Sequence, residues 1–220
     1  MERISDIALE FCGRGGKRLR PRLCKAAYLS AGGNPSCGRI DVICEAVECF
    51  HKASLIHDDI QDCDEERYGR PTVWKEYSLP IAIAAGDWLV AHGYELIARS
   101  LFPNALDMMK ATVASHVALC EGQGDDLMGA AKAADADYIS VCERKTGEAF
   151  ALAAELGALA AGADPAAYRR YGLDFGVVFQ LRDDMADGDM TEFAGKMLEG
   201  MEKKLAECEV SKLLGQWYKT

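Results

Sequence analysis

Apolar residues recur at helical spacing along nearly the whole chain, and alternating strand patterns are scarce. The clearest stripe is the inner seam of one helix predicted from about Tyr138 to Ala160, where steps of four and three residues alternate. Its members are Tyr138, Cys142, Lys145, Ala149, Leu152, Leu156 and Leu159. Such spacing is typical of helices that pack in bundles. The sequence therefore predicts an all-α fold, one bundle of roughly seven to nine helices.

Turn-forming residues predict where several of these helices begin. Asn34-Pro35 is typical of an N-cap followed by a proline in the first helical turn, and Pro80 and Asp164-Pro165 predict two further starts. A last, amphipathic helix is predicted from Phe193 to Tyr218. Because no repeat or long linker separates these segments, residues 1–220 are expected to form a single domain.

Composition narrows the class of function. The 220 residues carry a formal net charge of −10, which disfavours general nucleic-acid binding. Nine cysteines occur without a CxxC pair, so sequence spacing gives little support for zinc, and their odd number argues against a disulfide framework. Reduced thiols, the lack of a signal-peptide pattern and the lack of a transmembrane segment predict a cytoplasmic protein.

Two aspartate-rich motifs with the same spacing are the main candidates for chemistry. The first contains Asp58, Asp59 and Asp62, and the second contains Asp183, Asp184 and Asp187. In each motif the first and last carboxylates are four residues apart, so they lie on one helix face and repel each other unless a cation intervenes. Mg²⁺ favours such oxygen ligands. A single acidic pair is usually a solvated helix face, but two matching pairs at the ends of apolar helices predict a metal site.

Basic residues near these motifs suggest an anionic ligand. Lys17, Arg18 and Arg20 follow the Gly15-Gly16 turn, and cations beside such a turn are suited to a diphosphate, although a basic surface turn is the simpler interpretation. Lys145, next to Thr146, either meets an anion on its helix seam or extends to the surface. His51 shares a helix face with Asp58, as a ligand-binding or a core histidine, and Arg67 follows the first motif.

Seven segments together resemble the trans-prenyl diphosphate synthase family, in the order in which that family has them. They are GGKRLRP (Gly15 to Pro21), HKASLIHDDIQD (His51 to Asp62), GRPTVW (Gly69 to Trp74), AGDWL (Ala85 to Leu89), GQGDDL (Gly122 to Leu127), RKTGEAF (Arg144 to Phe150) and FQLRDDMAD (Phe179 to Asp187). The resemblance implies an antiparallel helix bundle of the isoprenoid synthase type around a central cavity. It also implies a homodimer.

The resemblance assigns roles to individual residues. Three Mg²⁺ ions are expected to bind an allylic diphosphate, and Arg67, Lys145, Thr146 and Gln180 are expected to act on that same diphosphate. The expected metal ligands are Asp58, Asp59, Asp62, Asp183, Asp184 and Asp187. Lys17, Arg20 and His51 match positions that hold isopentenyl diphosphate. The implied activity is an Mg²⁺-dependent prenyltransferase that condenses the two diphosphates into a longer trans-prenyl diphosphate.

The sequence departs from the family pattern in two places. Tyr68 stands where the family usually has a second arginine for isopentenyl diphosphate. Gly195-Lys196 matches the family's Gly-Lys loop, with Lys196 as a further substrate-binding residue, but the pattern then passes directly to what resembles the last helix. The resemblance thus describes a domain shortened after about residue 196.

The sequence leaves alternatives for the length of the product and for the class of activity. Small residues at Ala53 and Ser54 are expected to leave a channel open below Asp58, with Phe50 as its floor and Val47 beyond it. This arrangement predicts a product of about geranylgeranyl length. A class I terpene cyclase on the same fold, and an inactive or regulatory partner subunit of a prenyl diphosphate synthase, are the alternative functions.

Overall fold

The computed structural model describes residues 3–128, 135–187 and 192–215, which form a helical bundle with one two-stranded hairpin. Its α-helices are α1 (Ile4–Gly13), α2 (Leu19–Ser30), α3 (Arg39–Gln61), α4 (Val73–Glu76), α5 (Leu79–Arg99), α6 (Ala105–Leu127), α7 (Asp135–Cys142), α8 (Glu148–Ala161), α9 (Ala166–Asp187), α10 (Glu192–Ala206) and α11 (Glu209–Leu214). A π-helical turn, Glu143–Gly147, joins α7 to α8, and β1 (Glu66–Arg67) pairs antiparallel with β2 (Arg70–Pro71). The predicted all-α class is confirmed.

Helices α3 and α8 form the inside of the bundle. Helix α3 packs on α2, α5 and α8, while α8 also packs on α6 and α9. Ten of the fourteen residues of α8 are buried and the other four are partly buried, because its Ala-rich sequence leaves no broad polar face. A Cβ at Gly157 would lie 2.2 Å from the Cys24 carbonyl oxygen, so this glycine allows α2 and α8 to approach closely.

The buried apolar residues form two clusters on opposite sides of α3. The larger cluster joins α2, α3, α8 and α9 around residues such as Leu23, Phe150 and Leu181. The smaller cluster joins α1, α3 and α5 around Phe11 and Leu89. The two long central helices are thus fixed by burial on several sides, and their polar residues are held in defined positions.

Helix boundaries differ from the sequence prediction at two places. Helix α3 begins at Arg39, not at Pro35, because the Asn34 side chain instead accepts a hydrogen bond from the Ser36 amide at 2.9 Å and closes a turn. The predicted last helix is divided into α10 and α11, with Cys208 as the N-cap of the second. The starts of α5 and α9 agree with Pro80 and Pro165.

Candidate active site

The first aspartate motif lies at the C-terminal end of α3, where Asp58 is half-buried and Asp62 is exposed. Burial raises the pKa of Asp58, and repulsion by Asp62 adds to this shift, whereas the Lys145 ammonium opposes it. The ionised pair is therefore held in an unfavourable arrangement. A divalent cation relieves both the repulsion and the incomplete solvation, so these oxygen donors fit Mg²⁺.

Asp59 points to a different side of α3 and contacts Arg67. Its side chain is 1% exposed, and its Oδ1 accepts a hydrogen bond from Arg67 Nε at 2.5 Å. Its Oδ2 is buried and has no hydrogen-bond partner among the described residues. Because Arg67 lies on β1 and also approaches Asp64 at 3.7 Å, the short hairpin and Asp59 together orient this guanidinium.

A cluster of cations surrounds His51. Arg20 Nη1 lies 3.2 Å from His51 Nε2, and the guanidinium of Arg20 stacks 4.2 Å from the centre of the Phe150 ring. Burial, together with the charges of Arg20, Lys52 and Arg67, holds the pKa of His51 well below its ordinary value. Burial also lowers the pKa of Arg20 to about 10, which leaves it charged at neutral pH. His51 is thus a neutral group among converging positive charges, the electrostatics that suit a phosphate.

Lys52 belongs to this cluster, although sequence reasoning assigned it no role. It is 1% exposed, and its Nζ donates to the carbonyl oxygens of Arg14 and Gly15, the latter at 3.2 Å. The same ammonium lies 4.6 Å from the centre of the Tyr68 ring. Tyr68, at the hairpin turn, covers Gly15 so closely that a Cβ there would approach its ring to 2.8 Å. The only sequence signal for Lys52 was its place beside His51 in the segment HKASLIHDDIQD.

The Gly15-Gly16 turn carries the remaining predicted cation of this region. Lys17 is exposed on that turn, directly before Arg18, which has the left-handed backbone conformation (φ 48°). The turn therefore places Lys17 at the surface, while Arg20, the second residue of α2, faces His51.

The π-turn presents three consecutive polar side chains to two different helices. Arg144 pairs with Asp125, and Lys145 Nζ lies 2.5 Å from Asp126 Oδ2, both acids being on α6. Thr146 Oγ1 donates to Gln180 Oε1 of α9 at 2.8 Å. A regular α-helix turns 100° per residue and does not direct three neighbours in this way.

Lys145 is therefore not an inner-seam residue as predicted. Its side chain is 38% exposed, and it lies at the mouth of the bundle within electrostatic range of Asp58. Asp125 and Asp126 hold Arg144 and Lys145 in place. In the sequence these two acids belong to the segment GQGDDL that resembles the family, and no role was predicted for them.

The second aspartate motif is reached from the π-turn through Gln180. Gln180 Nε2 donates to Asp184 Oδ1 at 2.9 Å, so a continuous line runs from Thr146 through Gln180 to Asp184. Asp183 is exposed at the same end of α9. The side chain of Asp187 lies outside the described part of the structure. The π-turn thus connects the two motifs, with Lys145 near the first and Thr146 leading to the second.

The four predicted chain-length residues lie on more than one face of α3. Ser54 is exposed, whereas Val47 and Phe50 are 3% and 9% exposed. The Phe50 ring contacts Tyr94 and His116, at centroid distances of 5.3 and 4.5 Å. Ala53 is 1% exposed and packs in the α1–α3–α5 cluster, whereas Val47 and Phe50 belong to the larger cluster.

Two further features lie apart from this arrangement. Lys196 is exposed on α10, so Gly195-Lys196 is part of a helix and does not form the expected loop. An apolar pocket of about 20 Å³ lies between α9, α10 and α11, and none of the predicted site residues lines it.

The polyprenyl synthetase family model matches residues 1–200 of this chain. Among curated relatives, the short chain isoprenyl diphosphate synthase of Methanothermobacter thermautotrophicus is 37% identical over 204 residues, covering 84% of this chain and 61% of that protein. The geranylgeranyl diphosphate synthase of Sulfolobus acidocaldarius is 34% identical, covering 78% of this chain and 54% of that protein. The chain belongs to the polyprenyl synthetase family.

Solved structures show the same fold. The polyprenyl synthase of Caulobacter crescentus CB15, complexed with calcium and isoprenyl diphosphate, superposes with a TM-score of 0.74 at 33% identity, over 81% of this chain and 54% of that one. The geranyltranstransferase of Thermotoga maritima gives a TM-score of 0.84 at 26% identity, over 97% of this chain and 86% of that one. This chain spans 54–61% of the length of the first four curated relatives.

Within the described residues, no helix combines the length and the hydrophobicity that crossing a bilayer requires.

Proposed function

We propose that this chain is a prenyltransferase that condenses isopentenyl diphosphate with an allylic prenyl diphosphate. The observation that carries the proposal is the position of Lys145. It is electrostatically coupled to Asp58 of the first motif, and its neighbour Thr146 is linked through Gln180 to Asp184 of the second. Opposed oxygen donors with cations between them suit a metal-bound diphosphate.

The residues at the mouth divide into two groups in this proposal. Arg67, Lys145, Thr146 and Gln180 contact the allylic diphosphate, together with up to three Mg²⁺ ions held by Asp58, Asp62, Asp183, Asp184 and Asp187. When bound, Mg²⁺ neutralises the charge that develops on the departing diphosphate. Asp59 acts by orienting Arg67. Lys196 is also proposed to contact the diphosphate, and the family resemblance alone supports this assignment.

The second group holds isopentenyl diphosphate around His51. Arg20, with its pKa lowered to about 10, supplies a charge at neutral pH, and neutral His51 accepts its hydrogen bond. Lys17 approaches the anion from the exposed turn. The proposed reaction breaks the allylic C–O bond, forms a C–C bond from the isopentenyl double bond, and transfers the released proton to the diphosphate. Apolar walls protect the allylic cation from water.

The product of about geranylgeranyl length is proposed from the position of Phe50 at the floor beneath Ser54. A homodimer is proposed because α6 exposes the apolar side chains of Leu106, Val113 and Val117. A cytoplasmic location is proposed because the nine cysteines are free thiols.

The test is incubation of the chain with Mg²⁺, isopentenyl diphosphate and dimethylallyl, geranyl or farnesyl diphosphate, followed by sizing of the dephosphorylated products. Lengthened prenyl alcohols that vanish on chelation are expected. Release of hydrocarbon or alcohol from the allylic substrate alone would assign the chain to the terpene cyclases, an alternative that Tyr68 favours. If the chain is inactive by itself but restores activity to a second synthase subunit when the two are mixed, it is a partner subunit.

A further inference from the structure

Two buried cysteines and a glutamate meet between α1 and α3, on the side of α3 away from the aspartate motif. Their ligand atoms, the Sγ atoms of Cys12 and Cys49 and a carboxylate oxygen of Glu45, all lie within 4.8 Å of one another. Glu45 and Cys49 are one helical turn apart, and Cys12 approaches from α1. Sequence spacing hid this group, because its members are not adjacent in the chain.

The two oxygens of Glu45 have separate partners. Oε1 faces the thiols, 4.0 Å from Cys12 Sγ, while Oε2 accepts a hydrogen bond from Arg18 at 2.8 Å. Arg18 thus fixes the carboxylate with one oxygen directed at the sulfurs. Metal ligands are commonly oriented by an outer hydrogen bond of this kind, and its loss typically costs 10–100-fold in affinity.

The two thiols have different surroundings. A hydrogen bond from Cys49 lowers the pKa of Cys12 and Lys52 adds to this, while burial, Glu45 and Glu48 oppose it. The hydrogen bond to Cys12, burial and the neighbouring acids raise the pKa of Cys49, so the incoming metal must displace its proton. Two thiolates and one carboxylate leave a divalent metal with one excess negative charge, and Arg18 and Lys52 are close enough to compensate it. The side chain of Glu45 is 44% exposed, so an ion can enter from the surface beside it.

We propose that Cys12, Cys49 and Glu45 form a binding site for a thiophilic divalent cation of the Zn²⁺ class, with water as the fourth ligand. Three protein ligands and an open position are a common zinc arrangement, with Zn–S bonds of about 2.3 Å. Sulfur ligands select this class of ion over Mg²⁺, so the site is chemically distinct from the aspartate motifs. The ion joins α1 to α3 and, through Glu45 and Arg18, fixes the Gly15-Gly16 turn.

The test uses Cd²⁺, whose thiolate complexes absorb in the ultraviolet, on reduced chain freed of metal by chelation. Excess Mg²⁺ is present throughout to saturate the carboxylate sites. The unaltered chain is expected to show a thiolate–Cd²⁺ band that saturates at one equivalent and is displaced by Zn²⁺. Cys12→Ser and Cys49→Ser are expected to lose the band, and Arg18→Gln to weaken binding by about tenfold.

Cys24→Ser is the matched control. Cys24 is also buried and also hydrogen-bonds a second cysteine, Cys44, but neither Glu45 nor another carboxylate joins them in the described group of ligands. This variant is expected to retain the one-equivalent band. An unsaturable band in the unaltered chain, or an equal band in folded Cys12→Ser, overturns the proposal. Glu45→Gln changes a half-exposed side chain, so it tests the carboxylate without disturbing the core. If this variant binds Cd²⁺ with unchanged affinity, Glu45 is not a ligand of the site.

Discussion

At the scale of single residues, the ionised carboxylate of Asp58 destabilises the folded protein. Its pKa is raised by burial and by Asp62, so its ionised form costs stability that is regained as the pH falls through the folded-state pKa. Asp58→Asn is therefore expected to raise the melting temperature in chelator above that folded-state pKa, by about 2–4 °C per kcal/mol relieved. The proposed prenyltransferase turnover should fall by orders of magnitude, because the substitution removes a proposed metal ligand.

The control for that prediction is Asp107→Asn, since Asp107 is exposed on α6 and pairs only with Lys110 in the described contacts. Asp107→Asn should shift the melting temperature by no more than about a degree, and it should leave the turnover unchanged. A melting temperature for Asp58→Asn below that of the unaltered chain at every pH would contradict the proposed cost of the ionised carboxylate.

Tyr68 stands where the family resemblance implies an arginine, and its ring covers the Gly15-Gly16 turn. Tyr68→Arg is expected to lower the KM for isopentenyl diphosphate by about one to two orders of magnitude, because a hydrogen bond to a charged group contributes roughly 1.5–3 kcal/mol. The KM for the allylic diphosphate should stay nearly constant. The new cation would lie beside Lys52, so the melting temperature without substrate should fall.

Steady-state kinetics with each diphosphate varied in turn measure this effect. Tyr68→Phe, which keeps the ring on Gly15 and removes only the hydroxyl, is the control and should resemble the unaltered chain. Equal KM values for isopentenyl diphosphate in Tyr68→Arg and Tyr68→Phe would show that position 68 does not contact that anion.

Phe50 is the third residue with a specific expectation. Phe50→Ala removes a ring packed on Tyr94 and His116, so it should cost about 3–5 kcal/mol of unfolding free energy and lengthen the products by one or more isoprene units. Ile43→Ala makes a cavity in the same helix and the same core cluster. It should lose stability without changing product length, as sized by chromatography. Identical product distributions from the two folded variants would remove Phe50 from the floor.

At the scale of elements, the π-turn is the feature on which the site depends most. Deleting Glu143 should replace the π-turn with regular α-helix from α7 into α8, which reorients Arg144 and Lys145 away from Asp125 and Asp126. Turnover is expected to fall by about 10²-fold while circular dichroism keeps its helical signal. Glu143→Ala keeps the turn and should remain active. Full activity in the deletion variant would show that the π-turn is dispensable.

The π-turn is also an example of a secondary-structure element that the sequence did not predict. Helical periodicity predicted the order and the class of the elements, because burial follows spacing directly. The spacing of Cys142, Lys145 and Ala149 fits a continuous α-helix, so the sequence did not indicate the π-turn that takes Lys145 off this seam. The start of α3 was misplaced because the Asn34 side chain can cap a helix or close a turn, and the local sequence does not decide between them.

For the candidate site, the sequence predicts the helical placement of its motifs better than the orientation of their side chains. Both aspartate motifs lie at helix ends, as expected from the sequence. That Asp59 faces Arg67 while Asp58 faces Lys145 depends on how α3 is rotated against its neighbours, which only tertiary packing determines. The burial of Lys52 depends on carbonyl oxygens supplied by Arg14 and Gly15, nearly forty residues earlier.

At the scale of the whole molecule, α6 has an apolar stripe on its outer face. Leu106, Val113 and Val117 are 67%, 50% and 54% exposed, and they recur at helical spacing. If this face joins two copies of the chain, Val117→Asp should convert the dimer to a monomer in sedimentation velocity experiments, because a buried unpaired carboxylate is costly. Leu9→Asp, on α1, is the control and should leave the mass unchanged. A monomeric unaltered chain at tens of micromolar would refute the dimer.

Three basic side chains at the mouth of the bundle are each paired with an acid of the same protein: Arg67 with Asp59, Arg144 with Asp125 and Lys145 with Asp126. The protein thus provides its own counter-ions. A free phosphate or nucleotide that approaches must displace a carboxylate, and the gain from one contact is offset by the loss of another. A diphosphate that arrives with Mg²⁺ brings a new cation for each displaced acid, so both partners are exchanged at once. Under the proposed function, this pairing would favour metal-bound diphosphates over free anions at these three side chains.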